Sequence, residues 1–170
     1  MKNIVLVGFM GTGKTRVGKL LAAQLKWQRL CLDDMIEWKV GKPIADIFTE
    51  DGEEYFRKAE SEVAKAAAHD RKVIIDAGGG VVIDSKNVIR LKEHGVMFCL
   101  TATPEVIYER TKTHGHRPLL NVDDPVAKID DLLKKRDEFY KRADYIIDTS
   151  DLTPEEVVDN ILTTMKEQDL

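Results

Sequence analysis

The sequence predicts an α/β fold, a parallel sheet covered by helices on both faces, and three observations lead to it. Short apolar runs alternate with longer amphipathic stretches, as repeated strand–helix units require. A glycine-rich run, Gly8-Phe9-Met10-Gly11-Thr12-Gly13-Lys14-Thr15, follows the first apolar segment directly and opens a helix-like stretch. Helix-start signals fall where the alternation needs them. With 170 residues, 43% of them hydrophobic and 33% charged, the chain suits one domain over 1–170 with a real core.

Each element follows from its own residues. Strands are expected near 3–7, 28–32, 72–76, 96–100 and 145–148, with helices near 14–25, 52–69, 84–94, 104–113, 125–142 and 153–167. The first strand, Ile4-Val5-Leu6-Val7, delivers the chain to a complete G-x-x-x-x-G-K-S/T pattern, which grips a nucleoside triphosphate. Its glycines let backbone N–H groups converge on a phosphate, Lys14 reaches the β- and γ-phosphates, and the Thr15 hydroxyl can ligate Mg²⁺. Gly11, Thr12, Gly13 and Arg16 complete the ATP-binding set around them. In the 52–69 helix, Phe56, Ala59, Val63 and Ala66-Ala67 share a face, leaving Arg57 and Glu60 on an adjoining one.

The run Val73-Ile74-Ile75 ends in Asp76-Ala77-Gly78-Gly79-Gly80, where a parallel strand's carboxyl end opens into the binding crevice. Thr103-Pro104-Glu105 starts one helix, and Thr153-Pro154-Glu155-Glu156 combines an N-cap, a first-turn proline and a capping-box glutamate. Between these helices, residues 112–124 mix glycine, proline and polar side chains and read as a mobile lid. Arg117 within it is the candidate for stabilising charge on a transferring phosphoryl group, with Arg110, Arg136 and Arg142 on flanking helices.

A net charge of −4 and a pI near 5.6 argue against a nucleic-acid or anionic-membrane surface and confine positive potential to a cleft, favouring a small anionic substrate. Cys31 and Cys99 lie in different strands without metal-type spacing, and no signal peptide or long apolar run is evident, so a reduced cytoplasmic protein is expected. Both thiols read as packing residues. The four histidines, His69, His94, His114 and His116, show no ligand pattern.

Taken in order and spacing, Gly8–Thr15, Asp33, Asp46-Ile47-Phe48 with Gly52-Glu53, Phe56-Arg57 with Glu60, Gly78-Gly79-Gly80, Arg117-Pro118-Leu119-Leu120 and Arg136 with Tyr140 and Arg142 resemble the shikimate kinases over nearly the entire chain. The resemblance implies a three-layer P-loop fold with a five-stranded parallel sheet of order 2-3-1-4-5. It also implies transfer of the γ-phosphate of Mg-ATP to the 3-hydroxyl of shikimate, in aromatic amino-acid biosynthesis by way of chorismate, by a monomer.

Position by position, Asp33 resembles the aspartate that binds the substrate hydroxyls and accepts the transferred proton, within a substrate-binding region of about 33–60. Arg57 and Arg136 resemble the pair that holds the shikimate carboxylate, a task suited to a guanidinium fork. Gly79 and Gly80 would give backbone N–H contacts, with Gly78 shaping the loop. Lys14 and Arg117 would clamp the phosphoryl group, Arg110 with Pro154 would sandwich adenine, and Glu60 would orient Arg57. Asp33 could instead cap a following helix.

Two departures stand out. Relatives carry D-x-D where this chain has Cys31-Leu32-Asp33, so the acidic residue that holds Mg²⁺ through water is missing. A thiol is a poor substitute beside a hard cation. Asp76 stands where relatives often carry Ser or Thr, and is expected to supply the displaced carboxylate; a slipped register with Asp33 metal-side and Asp34 substrate-side is the other arrangement. Two further functions stay open at this point: a kinase of the same fold acting on gluconate or a nucleoside monophosphate, and a non-catalytic ATP-binding regulatory module.

Overall fold

The computed structural model describes residues 1–113 and 121–169. Its five strands, β1 (Asn3–Val7), β2 (Gln28–Cys31), β3 (Val73–Asp76), β4 (Gly95–Thr101) and β5 (Tyr145–Asp148), form one sheet. The order is β2-β3-β1-β4-β5 and every pair is parallel, as the resemblance implies. The central strands are the most apolar because both their faces are covered: every residue of β1 and β3 is buried, whereas edge strands β2 and β5 are partly open.

Alternation sorts the strand residues between two cores. Val5, Val7, Ile75, Met97 and Cys99 face α2 (Leu32–Val40), α4 (Gly52–Ala68), α5 (Ser85–Glu93), α6 (Pro104–Thr111) and α7 (Pro125–Tyr140). Ile4, Leu6, Ile74, Val96, Phe98 and Leu100 face α1 (Lys14–Leu25) and α8 (Pro154–Glu167). Among the described residues four helix starts are fixed by side chains, that of α5 by Asp84, which accepts from the Lys86 amide at 2.8 Å. Thr153 and Glu156 exchange both bonds of a capping box, at 3.2 and 2.7 Å, Thr103 accepts from the Val106 amide, and Asp124 accepts from that of Ala127.

The expected strands and helices agree with those observed to within two residues at each end, but between β2 and residue 52 the sequence reading gives no helix range, only the alternative that Asp33 caps a following helix. The structure puts α2 there, followed by the short turn α3 (Ile44–Asp46) and a π-helical turn at Ile47–Asp51. The reason is composition: α2 buries only Leu32 and Ile36, one i,i+4 pair, and leaves Trp38 88% exposed, so it has little apolar periodicity to show. Cys31, not Asp33, occupies its N-cap position, and Asp33 lies in the first helical turn. Among the described residues no helix is long and apolar enough to cross a membrane.

Candidate active site

Five of the functional segments meet where the carboxyl ends of the central strands open. At the end of β1 the chain turns through Gly8, with φ +141°, into a loop that a side chain would block: a Cβ there would stand 2.2 Å from the Leu100 carbonyl oxygen. The loop is held by Thr12 Oγ1 and Lys14 Nζ, which donate to the Phe9 carbonyl at 2.8 and 2.9 Å. It ends at the N-terminus of α1, where amides and the helix dipole favour an anion. Beside it, the Gly8 amide donates to Gly78 and the Ala77 amide to Leu6, so the phosphate loop and the glycine triple are tied together.

A cleft of about 850 Å³ runs from Gly11–Arg16 to the glycine triple, and Asp33, Arg57, Glu60, Asp76 and Arg136 line it. Asp33 opens into the cleft and Asp34 is not among its lining residues; Asp33 Oδ1 lies 3.6 Å from where a Cβ on Gly78 would be. The surrounding protein pushes the Asp33 carboxyl above its usual range, Asp76 adds to the rise, and Lys14 opposes it.

Across the cleft, Arg57 Nη1 donates to Glu60 Oε1 at 2.9 Å and Nη2 to Glu53 at 3.4 Å. Glu60 is only 4% exposed, and burial raises its pKa against the pull of Arg57. Gly80 makes room for this arginine: a Cβ there would fall 2.2 Å from Arg57 Nη1. Arg136 approaches from α7 with its guanidinium 5.8 Å from the Phe9 ring centre, and Ile44, Phe48 and Phe56 add an apolar wall.

Position 31 has an acidic neighbour across the sheet. Cys31 and Asp76 are Cα partners on the adjacent strands β2 and β3, so an acid at either position points into the same space. Asp76 is 4% exposed, and its Oδ2 accepts from Thr15 Oγ1 at 3.2 Å and from Arg29 Nη2 at 2.6 Å. The sequence reading does not single out Arg29, one basic residue on an edge strand. It reaches Asp76 across Gly18, where a Cβ would lie 3.2 Å from its Nε. Burial pushes the Cys31 thiol up, so it stays neutral beside these charges. Cys31 lines the cleft while Cys99 is a core residue whose pKa burial pushes up to about 12.

Arg110 is anchored rather than extended: it donates to Thr149 Oγ1 at 3.0 Å, to the Thr149 carbonyl at 2.7 Å and to the Gly11 carbonyl at 3.3 Å. With Pro154, Leu152 and Val157 it lines a small adjoining cleft of about 190 Å³. Arg16 makes only a 4.0 Å surface pair with Glu155. Arg142 turns away from the cleft and donates to the Val82 and Ile83 carbonyls at 2.8 and 3.1 Å, fixing the turn after the glycine triple. Arg117, and with it residues 114–120 of the expected lid, lies outside the described residues.

Hard oxygen donors suited to Mg²⁺ therefore stand beside the phosphate loop, in the Thr15 hydroxyl and the Asp76 carboxylate. Opposite them, a carboxylate with raised pKa and two guanidinium groups surround a space open to a small hydroxylated anion. That arrangement can carry phosphoryl transfer from a bound triphosphate to a hydroxyl held near Asp33.

Comparison with known proteins agrees. The family model described as shikimate kinase matches residues 10–166. A shikimate kinase of Thermodesulfovibrio yellowstonii is 49% identical over 162 residues, covering 95% of this chain and 94% of its own. Among solved structures, a shikimate kinase from Acinetobacter baumannii in complex with shikimate superposes with a TM-score of 0.91 at 36% identity, covering 100% of this chain and 96% of that one. The Aquifex aeolicus shikimate kinase does so with a TM-score of 0.81 at 32% identity and 98% coverage of both chains.

Proposed function

The chain belongs to the shikimate kinase family, and from that premise we propose that it transfers the γ-phosphoryl group of ATP to the 3-hydroxyl of shikimate. The observation that carries this reading is the convergence of Asp33, Arg57 and Arg136 on the cleft that also contains the phosphate loop. Binding ATP needs only the loop. A substrate bearing both a carboxylate and ring hydroxyls needs the guanidinium groups and the aspartate as well.

In the proposed reaction the substrate carboxylate pairs with Arg57 and Arg136, while its ring packs on Phe48 and Phe56 and receives amides from Gly79 and Gly80. The 3-hydroxyl oxygen bonds to the γ-phosphorus as the bond to the bridging oxygen breaks, ADP departs with that electron pair, and the hydroxyl proton passes to Asp33. A carboxyl with a raised pKa is the better proton acceptor. Lys14 follows the charge on the phosphates, helped by Arg117, and Arg110 with Pro154 borders the adenine.

The Thr15 hydroxyl would hold Mg²⁺, with Asp76 acting through water because Arg29 already occupies one of its oxygens. When bound, the ion neutralises phosphate charge. The product feeds chorismate and the aromatic amino acids. We also infer a cytoplasmic monomer without a nucleic-acid or membrane partner, consistent with a net charge of −4.

The test is ADP release with Mg-ATP and shikimate, gluconate, AMP or CMP as acceptor. Turnover is expected with shikimate alone, and Asp33→Asn should lower kcat by about 10²–10⁴. Equal turnover with another acceptor, or ATP binding without turnover, would overturn the assignment.

A further inference from the structure

One buried polar group near the cleft has no use in the proposed reaction. Tyr140, the last residue of α7, is 5% exposed and packs in the larger core, yet its hydroxyl has no hydrogen-bond partner among the described residues. An unpaired buried hydroxyl is costly, and a phenylalanine would fill the same space without it. The hydroxyl therefore calls for a partner that the ligand-free arrangement brings near without full hydrogen-bond geometry.

Geometry identifies that partner. Arg136 lies one helical turn before Tyr140, so the two side chains share a face of α7. Both approach the same point of the glycine triple: a Cβ on Gly79 would lie 3.2 Å from Arg136 Nη1 and 3.3 Å from Tyr140 Oη. Burial raises the Tyr140 pKa, while the hydrogen-bonding approach of the Arg136 guanidinium and then its charge lower it, so the two groups already interact and the phenol oxygen is the acceptor. Among the described residues Arg136 forms no ion pair, and its guanidinium rests on the Phe9 ring. That contrasts with Arg57, whose plane is fixed by Glu60 and Glu53.

We propose that Tyr140 is the positioning residue for Arg136: its hydroxyl accepts a hydrogen bond from the guanidinium edge turned away from the cleft when a substrate carboxylate takes the edge turned toward it. The proposal rests on the reading that Arg136 holds the substrate carboxylate. A guanidinium has five donors in one plane, so a carboxylate on one edge and a phenol oxygen on another are compatible, and together they fix that plane. Arg57 is thus set in advance by acids, and Arg136 is set by binding. A neutral phenol suits the second role, because a carboxylate in its place would compete with the substrate's own charge.

The experiment measures equilibrium binding of shikimate and of its carboxamide, together with kcat, KM and Tm, for the parent chain, Tyr140→Phe and Arg136→Lys. Tyr140→Phe is expected to weaken shikimate binding about three- to tenfold, the usual worth of one hydrogen bond, with the loss carried by KM rather than kcat. Carboxamide binding and the KM for ATP should not move. Its Tm should be unchanged or higher, because the ring is kept and an unpaired hydroxyl is removed.

A Tm that falls while shikimate binding is unchanged would assign the hydroxyl to folding and overturn the proposal. Equal losses for shikimate and carboxamide would overturn it too. Arg136→Lys separates it from its premise: if that variant weakens shikimate and Tyr140→Phe does not, only the proposal fails. If Arg136→Lys binds shikimate normally, the carboxylate assignment fails and the proposal falls with it.

Discussion

At the scale of single residues, Asp76 and Cys31 stand side by side on adjacent strands. Parallel register makes Cys31 and Asp76 neighbours, and Asp76 contacts Thr15; on our proposal it does the work of the first acid of a D-x-D pattern. Asp76→Ser is therefore expected to raise the Mg²⁺ concentration needed for half-maximal activity and for Mg²⁺-dependent nucleotide binding by about tenfold, the usual worth of an outer-shell partner. Adding Cys31→Asp should restore both, since the returned acid faces the same space. An unchanged Mg²⁺ titration in Asp76→Ser would remove Asp76 from the site. Both unusual residues are visible in the sequence, but the role of Arg29 is not. Nothing about a basic residue on an edge strand announces that it will cross Gly18 to reach an acid 47 positions away.

Among the elements, the glycine triple does its work through what it leaves empty. Gly80 has an ordinary φ of −103°, so its need for glycine is spatial, not conformational. A methyl group there would meet Arg57 Nη1 at 2.2 Å and Cζ at 2.9 Å. Because the obstacle is the end of a flexible side chain, Gly80→Ala should fold normally while displacing Arg57 from the cleft. The expected result is a Tm close to the parent's and a shikimate KM raised about 10- to 100-fold, matching about 1.5–3 kcal/mol for a charge-assisted contact. The KM for ATP should stay within about twofold, and a parallel rise there would show the loop itself to be distorted. Helices with strong periodicity, such as α4, or with a capping box as well, such as α8, are legible from sequence, whereas α2 is not. Its single buried i,i+4 pair carries too little pattern, and packing against α4 rather than propensity holds it.

Across the whole molecule, the cleft concentrates charge that the ligand-free fold must tolerate. Glu60 is buried and its pKa is raised, so the folded state favours its protonated form. Its contribution is fully present below the ordinary carboxylate pKa and is lost as pH rises through the raised value. Glu60→Gln should thus match the parent in unfolding free energy near pH 4 and become the more stable of the two toward pH 7. The gap should reach about 1.4 kcal/mol for every tenfold by which folding strengthens the carboxylate's hold on its proton. The shikimate KM of this variant should rise, because the acceptor 2.9 Å from Arg57 becomes a neutral amide oxygen and holds the guanidinium less firmly. Denaturant unfolding across that pH range reads the first effect and steady-state kinetics the second; a variant less stable than the parent at pH 7 would make Glu60 a net stabiliser.

The same division separates what the chain's own text determines from what folding decides. Alternating apolar runs, the run Gly8–Thr15 and the capping residues act over a few positions, so strands, most helices and the phosphate loop can be read directly. Facts that join distant residues depend on strand register and helix packing: the pairing of Cys31 with Asp76, the Arg29 bridge, the anchoring of Arg110 on Thr149, and the buried Tyr140 hydroxyl beside Arg136. Those distances exist only once the sheet has brought five separated segments to one edge.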